Sequence, residues 1–283
     1  MKELSTIAGI REAVGAARAS GERIGFVPTM GFLHEGHLRL IDEARRRAGC
    51  VVMSLFVNPT QFGPNEDFSR YPRDARGDAA KADARGVDFL FVPDVSEMYP
   101  STASLHVTAD DLPSRWEGAV RPGHFSGVLT VVAKLFNIVA PDVAVFGRKD
   151  FQQAALIRRM VRELNFPIDL VVADTVRESD GLALSSRNTY LDAAARASAL
   201  ALVESLRAAA RAFAAGERGG EQLAAAGEAL LAAHPEVTVD YFGIVDPLAM
   251  QRVQDATAES VAIVAARVGK TRLIDNMILG RPE

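Results

Sequence analysis

Ile24-Gly-Phe-Val-Pro-Thr-Met-Gly-Phe-Leu-His-Glu-Gly-His-Leu38 is the stretch whose reading decides the fold. It opens with a short apolar run, Ile24 to Val27, which fits a buried strand. Pro28 has no N–H to give a ladder and is expected to end that strand. A loop with Gly31 follows. After Gly36 the pattern turns helical: Leu38, Ile41 and Ala44 recur at spacing three, with charges between them. His34 and His37 therefore fall where a loop enters a helix. Unsatisfied backbone N–H groups and the helix dipole favour an anion there. Gly36 removes a side chain between the two histidines and lets a phosphate approach the backbone. Two imidazoles can hydrogen-bond a phosphate oxygen, and either can carry a proton near neutral pH. The pair also admits a metal-binding or plain surface reading. For a metal, no nearby Cys, Asp or third His supplies a full ligand set.

Working outward, residues 5 to 19 read as a helix capped by Ser5 or Thr6. Cys50 to Val57 is a second continuous apolar run, of the kind that suits a parallel strand covered on both faces. Residues 58 to 67 form a polar, proline-punctuated loop, placed where open α/β sheets bind ligands. Asp74 to Gly86 reads as a surface helix and Val87 to Val92 as a third strand. Residues 94 to 125 look irregular. Gly127 to Val139 is a packed helix, and Val143 to Phe146 a strand that runs into Gly147-Arg148-Lys149-Asp150. A helix to about Asn165 and a strand from Ile168 to Ala173 follow. Strands alternating with helices indicate an α/β fold with a Rossmann-like, doubly wound parallel sheet.

Residues 192 to 233 are alanine-rich and read as two helices split near Gly216 to Gly220. Val237 to Val245, Ser260 to Val268 and Arg272 to Ile278 then suggest an antiparallel sheet in a second, smaller α/β domain. The boundary is placed near Asp174 to Val176, dividing the chain into residues 1–175 and 176–283.

With 283 residues, nearly half of them hydrophobic, the chain can build a substantial core. Its formal charge of −4 argues against a broad nucleic-acid surface. Arg45-Arg46-Arg47 ends a predicted helix, where cations suit the dipole. Cys50 is the sole cysteine, so no internal disulfide forms, and its apolar neighbours make it a small core residue. The N-terminus lacks the pattern of a secretion signal. No run of about 18 apolar residues exists to span a membrane. A cytoplasmic soluble protein without a membrane or nucleic-acid partner is expected.

Three further clusters carry chemistry. In Asn58-Pro59-Thr60-Gln61, the Gln61 amide can donate and accept, as a hydroxy acid or carboxylate requires; a turn or capping role fits it equally. In Gly147-Arg148-Lys149-Asp150-Phe151-Gln152-Gln153, Lys149 can neutralise a phosphate as a point charge. Asp150 can instead cap the helix, and Gln153 lies one turn away. Ser179-Asp-Gly-Leu-Ala-Leu-Ser-Ser-Arg-Asn188 offers hydroxyls and a guanidinium for a triphosphate, or serves as an ordinary linker. Together these groups supply positive charge for phosphoryl transfer, which is mostly positioning and electrostatics. No Walker A, GxGxxG or Cys-nucleophile pattern is present.

His34-Glu-Gly-His37 resembles the His-x-Gly-His signature of the nucleotidyltransferases. More fully, the chain resembles the pantoate–β-alanine ligase (pantothenate synthetase) family. The matching stretches are Val27-Pro-Thr-Met-Gly-Phe-Leu-His-Glu-Gly-His37, Phe56-Val-Asn-Pro-Thr-Gln-Phe-Gly63, Tyr71-Pro-Arg-Asp74, Met98-Tyr-Pro100, Arg121-Pro-Gly-His-Phe125, Phe146-Gly-Arg-Lys-Asp-Phe-Gln-Gln153 and Leu184-Ser-Ser-Arg-Asn188. They span most of residues 24 to 190; the last hundred residues carry fewer signature positions.

The resemblance implies a two-step ligation. Pantoate carboxylate attacks the α-phosphate of Mg-ATP to give pantoyl adenylate, and the β-alanine amine then displaces AMP. It implies ATP contacts from Met30, Gly31, Phe32, Leu33, His34, Glu35, Gly36 and His37. Gly147, Arg148, Lys149, Asp150, Val176, Leu184, Ser185, Ser186 and Arg187 join them. His34, His37, Lys149 and Arg187 are the implied catalytic groups, with His37 the family's proton donor. Gln61 and Gln153 would hold pantoate, and Gln61 would also place β-alanine. Mg²⁺ is implied by the ATP chemistry, with no ligand residue nameable, and no tightly bound organic cofactor is implied. The family is usually a homodimer. Arg148 stands where many relatives carry an acidic residue, and Leu184 where many have Met. Residues 62 to 71 are a candidate lid. The competing readings are a nucleotidyltransferase that stops after one transfer, and a catalytically silent nucleotide-binding regulator.

Overall fold

The computed structural model describes residues 1–64 and 66–281. Residues 1–114, 121–148 and 156–174 form one compact unit; residues 115–120, 149–155 and 175–283 form a second.

The first unit is built on six parallel strands: β1 (Lys2–Leu4), β2 (Ile24–Thr29), β3 (Cys50–Leu55), β4 (Phe89–Phe91), β5 (Val143–Gly147) and β6 (Asp169–Ala173), in the order β1-β4-β3-β2-β5-β6. Every β3 residue is buried, as the apolar run predicts for a strand covered on both faces. Helices α1 (Ile7–Ala19), α2 (Glu35–Arg45), α3 (Ala75–Ala84), α4 (Val95–Met98) and α6 (His124–Val139) belong to this unit, as does the C-terminal part of α7 (Phe151–Glu163). The short α5 (Trp116–Val120) belongs to the second. Thr6 caps α1 by accepting from the Gly9 amide. Leu40, Ile41 and Ala44 bury one face of α2 against Val27, Val51, Met53 and Val143. Cys50 is buried as expected, and burial pushes its thiol up to about 11, so it stays protonated.

From β2 the chain builds outward through β3 to β4 on one side and then returns to β5 on the other. The carboxyl end of β2 is thus the point where strand order reverses, and ligands bind there in open α/β sheets.

Several sequence expectations shift. Pro28 does not end β2, which continues to Thr29. The Ile24 carbonyl accepts from Asp142 on the β5 side, and the Thr29 carbonyl accepts from Phe56 on the β3 side. Alternation therefore turns Pro28 toward β5, whose pairing with β2 covers only Gly25 and Phe26. The missing N–H has no ladder partner to lose. The segment 94 to 125 holds α4 and α5, and α6 begins at His124, three residues earlier than its apolar run suggests.

In the second unit, α8 (Ala193–Ala214) and α9 (Gly220–Ala232) pack on an antiparallel sheet of β7 (Val237–Val245), β8 (Val261–Val268) and β9 (Thr271–Ile278). Alternate β8 residues Ala262, Val264, Ala266 and Val268 join the helix-facing core. Gly269, at φ 57°, and Lys270 make the two-residue turn between β8 and β9. A Cβ on Gly227 of α9 would stand 2.2 Å from the buried Phe242 ring of β7.

Alanine at a helical glycine normally gains about 1 kcal/mol of propensity. Overpacking a filled core costs about 1–3 kcal/mol. Gly227→Ala should therefore lower the urea midpoint, and in a Phe242→Leu background the same substitution should lose that penalty. An unchanged midpoint in the first variant would show that the α9–β7 contact yields freely.

Candidate active site

In the first unit the chain leaves β2 through a tight bend. Thr29 Oγ1 donates to the Ser54 carbonyl (2.8 Å) and accepts from the Gly31 amide (3.2 Å). Gly31 and then Phe32 take left-handed backbone, at φ 86° and 51°. The bend turns the Phe32 and Leu33 amides inward, and both donate to the Asp78 carboxylate of α3, at 2.7 and 2.6 Å. Asp78 is 2% exposed. Lys81, one turn further along α3, donates to the Leu33 carbonyl (2.8 Å). Four backbone polar groups of residues 29 to 33 are thus tied to the sheet or to one helix.

This bend delivers His34 as the N-cap of α2 and His37 as its third residue. The His34 amide donates to Nδ1 of His37 (3.3 Å), and the rings lie 4.1 Å apart, centroid to centroid. Because Nδ1 of His37 accepts, the proton of its neutral ring sits on Nε2. His37 thus has a donor at the outer ring nitrogen, beside the positive end of an eleven-residue helix. Glu35 departs from the other residues of its stretch: its carboxylate pairs with Arg85 (2.7 Å), which also holds Asp42.

Gln61 closes a 3₁₀ turn over Pro59–Gln61 and is 8% exposed. Its Oε1 accepts from Asn58 Nδ2 (3.1 Å), and its Nε2 lies 3.1 Å from the Met30 sulfur. The structure therefore brings the predicted residues Met30 and Gln61 together. Asn58 is the hub of this turn. Its Nδ2 also donates to the Gly127 carbonyl, while its Oδ1 accepts from Tyr99 Oη (2.8 Å) and Thr60 Oγ1 (2.9 Å). Burial pushes the Tyr99 hydroxyl up, so it remains a donor. A Cβ on Gly127 would lie 2.4 Å from the Thr60 carbonyl, so α6 packs directly on the turn.

Gly147 ends β5, and Arg148 pairs with Asp174. Residues 62 to 71 include Asn65, which lies outside the described residues.

In the second unit, Lys149 Nζ lies 3.7 Å from the Asp150 carboxylate. The adjacent glutamines divide. Gln152 is buried and spends its amide on the Glu117 N–H and the Arg115 carbonyl, each at 3.0 Å. Gln153 is half-buried, and no hydrogen bond of its side chain is found among the described residues.

Val176 and Leu184 face each other across a tight hairpin. The Leu184 amide donates to the Val176 carbonyl (2.9 Å), Arg177 and Ala183 bridge, and Gly181 takes φ 97° at the tip. Ser185 then caps the 3₁₀ segment Ser186–Tyr190 by accepting from the Arg187 amide. Two consecutive β9 residues anchor all of this. Asp275 pairs with Arg177 (2.6 Å) in a nearly dry setting, and Asn276 Nδ2 donates to the Lys149 carbonyl (2.9 Å). The predicted stretches at 149–150 and 176–187 are therefore held by neighbouring positions of one strand.

Asp78, Asp275 and Asn276 escaped the sequence reading as working residues. The last pair left a signal, two polar residues inside the apolar run Leu273-Ile-Asp-Asn-Met-Ile278. Asp78 left none.

Comparison with known proteins bears on the whole chain. A family model described as pantoate-beta-alanine ligase matches residues 2–278. The chain belongs to the pantoate–β-alanine ligase family. It is 52% identical over 291 residues to the pantothenate synthetase of Acidobacterium capsulatum, covering 99% of this chain and 97% of that protein. The synthetase of Moorella thermoacetica is 52% identical over 279 residues, with 99% of each covered. Among solved structures, pantothenate synthetase from Thermus thermophilus superimposes with TM-score 0.94 at 48% identity, covering 99% of both chains. The ligase from Francisella tularensis, complexed with beta-gamma ATP and beta-alanine, gives TM-score 0.82 at 32% identity, covering 100% of this chain and 99% of that one.

Asparagine at position 78 keeps the shape of the carboxylate but turns a donor toward one of two buried amides. Asp78→Asn should cost about 1–3 kcal/mol of stability and raise KM for ATP. Urea unfolding and initial rates check both; wild-type values in each would remove Asp78 from the loop's support.

Proposed function

We propose that this chain condenses pantoate with β-alanine at the expense of ATP, through a pantoyl adenylate. The observation that carries the reading is family membership along nearly the full length, combined with a paired His34/His37 at the N-terminus of α2. In the first step an oxygen of the pantoate carboxylate forms a bond to the α-phosphorus, and the bond to pyrophosphate breaks. A carboxylate nucleophile needs no base. The useful protein contribution is hydrogen-bond donation to charge developing on the phosphates. Nε2–H of His37 and the amides opening α2 are donors of that kind. In the second step the amine nitrogen attacks the acyl carbon, loses a proton, and AMP departs with the acyl-phosphate bond electrons. A neutral imidazole is suited to take that proton.

Gln61 and Gln153 hold pantoate in this reading, with Gln61 also placing β-alanine. Lys149, Ser185, Ser186 and Arg187 meet ATP, alongside Val176 and Leu184. Lys149 and Arg187 bring positive charge to the phosphates. Residues 1–175 supply the ATP- and pantoate-binding part, and 176–283 the smaller part that carries 184–187. Among the described residues no group of three or more His, Cys, Asp or Glu side chains is gathered for a metal ion. Mg²⁺ enters this proposal as part of Mg-ATP, where it neutralises phosphate charge. No helix among the described residues is long and apolar enough to cross a membrane. A homodimer working in the cytoplasm completes the proposal.

The test is pyrophosphate exchange into ATP with substrates supplied separately. Exchange that needs pantoate but not β-alanine, with net AMP formation only when both are present, is expected. Pyrophosphate release independent of pantoate would overturn the reading. His34→Ala and His37→Ala should each slow pantoate-dependent exchange about 10²–10³-fold, the usual loss for a preorganised donor. Normal exchange with a slow second step would refute the donor role.

A further inference from the structure

Arg121-Pro-Gly-His124 is a sequence motif that the proposed chemistry leaves without a role. Gly123, at φ 82°, ends the turn, and His124 opens α6. The His124 ring is nine-tenths buried, and both its nitrogens have partners. Nε2 lies 3.0 Å from Nη1 of Arg121. A guanidinium has only donors, so Nε2 must accept. Nδ1 lies 2.8 Å from the Gln61 carbonyl, which has only lone pairs, so Nδ1 must carry the proton. The two contacts admit one protonation state, the neutral Nδ1–H tautomer.

Among the described residues, Arg121 and Glu66 are charged groups beside the ring. Arg121 donates through Nε and Nη2 to the Glu66 carboxylate, at 2.7 and 2.6 Å. Burial pushes the Glu66 carboxyl up, but the Arg121 hydrogen bond and charge outweigh this and leave it below the usual carboxylate range. Glu66 thus stays ionised and fixes the guanidinium plane that faces His124. The Arg121 cation and the positive end of α6 both oppose an imidazolium, while Glu66 favours one.

We propose that His124, held as the Nδ1–H tautomer by Arg121, is a positioning residue for Gln61 in pantoate binding. Its hydrogen bond fixes the Gln61 main chain, while Asn58 fixes the side-chain oxygen from the same turn. The glutamine is pinned at both ends, so its amide keeps one orientation toward a small hydroxy acid. The inference rests on the reading of Gln61 as a pantoate ligand.

Two measurements on the full-length enzyme decide it. The first is a long-range ¹H–¹⁵N correlation spectrum of histidine-labelled protein at neutral pH, with His124 assigned by its disappearance in His124→Asn. A protonated Nδ1 and a pyridine-like Nε2 are expected; an Nε2–H tautomer or an imidazolium overturns the proposal. The second is kinetic. His124→Leu should raise KM for pantoate about tenfold or more with KM for ATP nearly unmoved, as loss of one orienting hydrogen bond predicts. His124→Asn, whose amide can place an N–H where Nδ1–H stands, should recover most of that loss. Equal defects in both variants, or an equal rise in KM for ATP, overturn the positioning role. Gln61→Ala is run beside them. A pantoate KM unchanged in that variant counts against the reading of Gln61, while the tautomer measurement still judges His124 by itself. The wild-type spectrum also stands if a variant fails to fold.

Discussion

Two backbone amides, Phe32 and Leu33, point into the protein because the chain has just passed through left-handed conformations at Gly31 and Phe32. Left-handed backbone at a residue with a bulky side chain is costly, and it persists only where the surroundings over-determine it. The Asp78 carboxylate does this by meeting both amides at short distance in a site from which water is excluded. A buried carboxylate is itself unfavourable unless its oxygens are fully engaged. Carboxylate and bend therefore each make the other tolerable. The position of His34 as the N-cap, and with it the contact from its amide to His37, follows from where that bend ends.

The same logic explains what the sequence could and could not reveal. Strands β2 and β3 were legible because their residues are apolar without interruption, and burial of both faces demands that. The histidine pair was legible because spacing along a helix places both rings at its first turn. Asp78 was not, because an aspartate inside Ala75–Ala84, which also carries Asp83, looks like any surface residue of a helix. Its partners lie more than forty positions away, and no local pattern encodes such a distance. β1 was missed because three residues carry too little periodicity. Pro28 was misread for a related reason: the rule against proline in a sheet depends on which neighbour its nitrogen faces, and strand order settles that. The helices and strands between residues 192 and 278 came through well, but two polar strand residues there, Asp275 and Asn276, acquire meaning only through Arg177 and Lys149.

Gln152 and Gln153 are chemically identical and adjacent, yet one has its amide fully occupied by backbone groups and the other does not. Asn58 and Gln61 form a second pair within one turn, where both amides have partners. Asn58 collects structural contacts from Thr60, Tyr99 and Gly127, and so holds Gln61 in a defined place. In each pair one amide, Gln152 or Asn58, ties the segment from which its neighbour projects to another part of the chain. An amide that must recognise a substrate gains most when its own rotation has been restricted beforehand, because less freedom is then lost on binding. On the proposed reading of Gln61 and Gln153, the buried polar residues around these turns serve recognition even where they touch no substrate. An apolar replacement of the same size would preserve packing and still release the amide it orients. This is why polar side chains persist at positions where the hydrophobic effect alone would favour leucine.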